Sequence, residues 1–132
     1  MARINNANLT LTTVGNNVTI TVTYSAVINA LERFLEANGL GLVERIAVIG
    51  VDPPGSTTGT VLHNFPAENL PVTAGGGPET IARNRSITVS RASLQEDNGL
   101  GDNDEIRCRI TIDALNLPAD ITAFTDQEVL VG

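Results

Sequence analysis

The residues best suited to chemistry in this chain are five carboxylates within one short stretch: Glu96, Asp97, Asp102, Asp104 and Glu105. Clustered carboxylate oxygens are hard ligands, and Ca²⁺ takes about six to eight of them. Gly99 and Gly101 would let backbone carbonyls turn inward, and Asn98 and Asn103 add amide oxygens. The spacing departs from the EF-hand loop. Counted from Asp102, the position that needs a third oxygen ligand is Ile106, and the position that needs glycine is Arg107. The competing reading is a solvated loop whose charges discourage edge-to-edge pairing. Asp52, at the end of another run, would supply a further oxygen if the two loops converge.

His63 is the only histidine, and Ser56 and Asp52 lie near it in sequence. A nucleophilic triad also needs a strained nucleophile turn and an oxyanion hole, and no G-x-S-x-G is present. A zinc site draws mostly on His and Cys, of which the chain has one each. That one Cys, Cys108, alternates onto the apolar side of its run, away from Arg107 and Arg109, which reads as a buried structural thiol. Gly75-Gly76-Gly77 lacks the lysine that follows a phosphate loop and reads as a flexible or close-packed turn. All eight basic residues are arginine. Arg83, Arg85 and Arg91 on one side, and Arg107 and Arg109 on the other, flank the acidic stretch. They read as surface partners for carboxylates across adjacent strands. The functional alternative is an arginine row that binds a carboxylate of a partner subunit.

Charge narrows the partners. The net charge is −7, which repels phosphate and argues against nucleic acid or an anionic membrane. No stretch reaches the ~20 apolar residues of a membrane span, and no signal-peptide pattern is visible. A chain of 132 residues fits one domain, residues 1–132. With only three Phe and one Tyr, its core must be built from Ile, Leu, Val and Ala.

The elements that must position these residues are strands. Leu9 and Leu11 alternate with Thr10 and Thr12. After Gly15-Asn16-Asn17, Val18, Ile20, Val22 and Tyr24 alternate with Thr19, Thr21 and Thr23, the pattern of a hairpin with one apolar and one wet face. Ile87 and Val89, then Ile106, Cys108, Ile110 and Ile112, repeat that alternation on either side of the acidic stretch. They read as neighbouring antiparallel strands joined by a long loop. Ile46-Ala47-Val48-Ile49 is apolar on both faces, as in a strand covered by another layer. Residues 29–38 are the one helical candidate, with Leu31, Phe34 and Leu35 on one face. Asn29 and Glu32 have the spacing of a capping box, and Gly39 can end the helix. That helix is expected to lie as a lid over one end of the core. Thr60 to Phe65, Leu70 to Thr73, Ile121 to Phe124 and Glu128 to Val131 complete the short strands.

The expected fold is all-β: a two-sheet antiparallel β-sandwich of immunoglobulin-like or jelly-roll-like kind with one short helix. The expected function is a non-enzymatic structural or interaction module, a self-assembling β-sandwich subunit. Its partner is a further copy or another protein, with no nucleic acid, no membrane insertion and no required cofactor. The alternative is a Ca²⁺-dependent binding module that uses the acidic residues 96–105.

Overall fold

The computed structural model describes residues 3–37, 39, 41–51, 59–73, 75–94, 104–114, 120–125 and 128–130. Its strands are β1 (Arg3–Val14), β2 (Asn17–Ile28), β3 (Leu42–Val51), β4 (Gly59–Asn64), β5 (Glu68–Asn69), β6 (Glu79–Ser90), β7 (Asp104–Ala114), β8 (Asp120–Phe124) and β9 (Glu128–Leu130). The one α-helix among the described residues is α1 (Ala30–Ala37). Two antiparallel sheets form. A three-stranded sheet has the order β1-β2-β6, and a six-stranded sheet has β4-β3-β7-β8 with β5 on β3 and β9 on β7. The architecture is the expected two-sheet sandwich.

The Thr-rich hairpin forms as expected. Val14 pairs with Asn17 across a two-residue turn, and Gly15 has φ 61°. A positive φ at the first turn residue suits the right-handed twist of the flanking strands, and glycine adopts it without a Cβ penalty. Val18, Ile20, Val22, Tyr24, Ala26 and Ile28 turn inward and are buried. They meet Leu42, Ile46 and Val48 of β3 and Ile106, Cys108, Ile110 and Ile112 of β7 in a single core. Cys108 is fully buried, and burial pushes its thiol pKa up to about 12.

Two expectations fail. Strands β6 and β7 are not neighbours: β6 pairs with β2 in one sheet, β7 with β3 in the other. Alternation marks each as a half-buried strand, but it carries no information about which strand lies beside which. The helix, in turn, is not a lid. Its capping box is real, with Glu32 N donating to Asn29 Oδ1 at 2.8 Å and Asn29 N to Glu32 Oε1 at 3.1 Å. Yet Leu31 and Phe34 stay 63% and 62% exposed.

What the helix seats inward is Arg33. Its Nε donates to Thr73 O at 2.7 Å and its Nη1 to Gly76 O at 3.2 Å, so the glycine turn wraps a guanidinium. A Cβ on Gly75 would lie 2.6 Å from Arg33 Nη2, which makes this turn the close-packed one. Strand β3 is nonetheless buried on both faces, since Val43, Ala47 and Ile49 are buried as well as Ile46 and Val48. In register, Arg109 lies opposite Ala47 and Arg107 opposite Ile49, long side chains whose stems can cover apolar groups.

Candidate functional site

Alternation along β6 puts Ile81, Arg83, Arg85, Ile87 and Val89 on its inward side. Arg83 sits opposite Tyr24 and Arg85 opposite Val22 on β2. Across the sandwich, Glu44 occupies the inward face of β3 between Leu42 and Ile46. It is completely buried, the only buried acidic side chain among the described residues. A lone carboxylate could not stay ionised there, because desolvation favours the neutral acid. This one is met from three directions. Arg83 Nε donates to Glu44 Oε2 at 2.9 Å and Arg83 Nη2 to Glu44 Oε1 at 3.3 Å. Arg85 Nη1 donates to Glu44 Oε1, and the Tyr24 hydroxyl donates to Glu44 Oε2.

The knot extends outward to the rim. Glu68 of β5, 51% exposed, accepts from Arg83 Nη2 at 2.9 Å and lies 3.5 Å from Arg85 Nη2. Arg85 Nη2 also donates to Pro66 O at 2.9 Å, and its guanidinium lies 5.7 Å from the centre of the Phe65 ring. Two arginines and two carboxylates cancel in charge, as a nearly dry site requires.

The protonation states follow. Burial pushes Glu44 toward the neutral acid, but hydrogen bonds from Arg83 and Tyr24 outweigh it and hold the carboxyl below its usual range. Burial, and then the Glu44 carboxylate, push the Tyr24 phenol up. The hydrogen bond to Glu44 raises Arg83. All three shifts lead away from neutrality, so these groups bind and clamp rather than exchange protons near pH 7.

The sequence reading placed Arg83 and Arg85 on the surface, with Arg107 and Arg109 across an adjacent strand. The structure turns Arg83 and Arg85 into the sandwich and puts Arg107 and Arg109 on the other sheet. The signal was present in parity. Arg83 and Arg85 share the odd-numbered face of Ile87 and Val89, and Glu44 shares the even-numbered face of Leu42, Ile46 and Val48.

Of the candidate Ca²⁺ ligands, Glu96, Asp97 and Asp102 lie outside the described residues. Asp104 and Glu105 open β7, with backbone pairing to Leu130 and Val129. Their side chains also lie outside the description. Among the described residues no group of three or more His, Cys, Asp or Glu is placed to hold a metal ion. His63 lies on β4 opposite Val48, half-buried, while Ser56 and Asp52 lie outside the described residues. No described helix is long and apolar enough to cross a membrane.

The opposite face of the three-stranded sheet is uncharged over its middle rows. Thr12, Thr19 and Thr88 form one row, Thr10, Thr21 and Ser86 the next, and Asn8, Thr23 and Asn84 the third. Hydroxyls join across strands, with Thr19 Oγ1 3.0 Å from Thr88 Oγ1 and Thr21 Oγ1 2.9 Å from Ser86 Oγ. The two long edges of this sheet differ. Strand β1 packs beside β8 and β9, whereas β6 has β2 as its only strand partner among the described residues. Comparison of the chain with protein-family models, with curated proteins and with solved structures finds no match.

Proposed function

We propose that this chain is a non-enzymatic interaction module that assembles with further copies of itself through the long edge of β6 that no described strand pairs with. The observation that carries the reading is the edge itself. All twelve residues, Glu79 to Ser90, pair with β2 without a bulge, and none is proline or lysine. A long regular edge offers a row of backbone donors and acceptors to another strand. Inward charges often guard such an edge. Here Arg83 and Arg85 are already matched by Glu44 and Glu68, and the outward side chains from Thr80 to Ser90 are neutral. The protonation states of the buried knot also support a role without acid–base chemistry.

Two copies joined edge to edge about a two-fold axis would give the strand order β1-β2-β6-β6-β2-β1. The test is light scattering at several protein concentrations. The expected mass is a multiple of one chain. Ser86→Lys with Ser90→Lys adds charge at the edge and returns the protein to single-chain mass. A single-chain mass at every concentration, or an unchanged multimer in the lysine variant, overturns the reading.

A further inference from the structure

At one end of the uncharged face the sheet opens into a cavity of about 380 Å³ that the edge-pairing reading leaves unused. Its origin is local. Asn5 pairs with Ser25 and Asn8 with Thr23, so Asn6 and Ala7 together stand opposite the single residue Tyr24, one extra residue at a break in the register of β1. Asn6 takes the left-handed conformation at φ 56°, which asparagine tolerates better than most residues. Its carbonyl accepts a hydrogen bond from Asn8 Nδ2 at 3.0 Å, and that orients the Asn8 amide. The lining residues include Asn6, Asn8, Asn84, Thr23, Ser25 and Ala82, side chains of amide, hydroxyl and methyl type. Ala82 faces Ser25 across the strands and leaves the floor open. Tyr24 and Arg83 also border the cavity, but their polar heads are turned through the sheet to Glu44.

We propose that this cavity binds one ring of an uncharged polyhydroxylated ligand, the chemistry of a neutral saccharide unit. Amides and hydroxyls each offer donors and acceptors, which is what a ring carrying several hydroxyls needs. Among the described residues, an anion finds no uncommitted cation there, a cation no carboxylate, and an apolar ligand no exposed aromatic ring, since Tyr24 is buried. The volume is enough for one ring and lies at the small end of ligand pockets. Without a stacking ring a single site is weak, with a Kd of about 1 mM or more. An assembly carrying several copies of the site would gain avidity on a polymeric glycan.

The experiment is saturation-transfer NMR on the full chain with the methyl glycosides of glucose, galactose, mannose and N-acetylglucosamine, each at about 5 mM to match weak binding. At least one is expected to show transfer. Ala82→Ile fills the floor from an exposed strand position without adding an aromatic face, and reduces that signal about tenfold. Thr12→Ile, farther along the same face, leaves it unchanged. Should Ala82→Ile fail to fold, Asn84→Ala is read in its place. Absence of transfer from all four glycosides overturns the proposal, as does transfer that survives in the folded cavity variant. Neither result bears on the mass measured by light scattering, so the two readings fail separately.

Discussion

Strand β6 has two polar sides, and they do different work. Inward, Arg83 and Arg85 are 14% and 10% exposed and clamp a carboxylate with no exposure at all. Outward, Ser86 and Thr88 make hydroxyl contacts with β2 in full view of water. The inward contacts span two sheets, and the outward ones join strands that the backbone ladder already holds. Water can replace a lost partner outside but not inside, so polar contacts on one strand differ severalfold in what their loss costs.

The largest expected effect is at the centre of the knot. Glu44→Gln leaves two nearly buried guanidiniums facing a neutral amide, and breaking a buried ion pair in this way costs about 3–5 kcal/mol. Denaturant unfolding measures it. Glu44→Met combined with Arg83→Leu, Arg85→Leu and Tyr24→Phe removes the three buried charges and the hydroxyl that Glu44 accepts from, and recovers most of the loss, because the one charge left without a partner, Glu68, is half exposed and solvated. A Glu44→Gln loss below about 1 kcal/mol would mean that water reaches the knot, and the contrast between the two sides of β6 would collapse.

The pH dependence comes next. Glu44 titrates below its ordinary 4.5 in the folded chain. The unfolded chain therefore binds that proton first as pH falls. The stabilisation is whole above about 4.5 and is lost as pH drops through the folded value. At the alkaline end, Cys108 rises from 9.0 to about 12, and Tyr24 rises from 10.0. The unfolded chain loses these protons first, so stability declines as pH climbs past about 9. Urea midpoints measured across the pH range should show both limbs. Glu44→Gln should flatten the acid limb and Cys108→Ala the alkaline one. An acid limb unchanged in Glu44→Gln would assign it to other carboxylates.

The smallest effect belongs to the outer face. Thr19→Val with Thr21→Val removes the two cross-strand hydroxyl contacts but keeps β-branched side chains. Stability should move by less than about 1 kcal/mol, in either direction. The pH profile should stay fixed, since neither residue titrates. A larger loss would show that the hydroxyl rows are a structural network in their own right.

Several features were legible in the residues. The hairpin of β1 and β2, the Asn29–Glu32 cap and the buried Cys108 each follow from spacing a few residues long, where backbone geometry alone decides. Even the knot was written in parity, once Arg83 and Arg85 are counted with Ile87 and Val89. What parity could not say is that the partner of these arginines would be Glu44. That carboxylate is distant in sequence and lies on a strand whose apolar centre draws attention away from it.

The sequence by itself determined an all-β chain with one capped helix, one wet Thr face and a core of aliphatic residues, because strand and helix periods are local properties. Only the tertiary structure decided that β6 and β7 belong to different sheets. It also decided that Leu31 and Phe34 stay outside while Arg33 is wrapped by the glycine turn, and that a register break at Asn6 opens a cavity. Those outcomes depend on which elements meet across the sandwich, and pairing between distant segments is set by the packing of the whole core rather than by any one stretch of it.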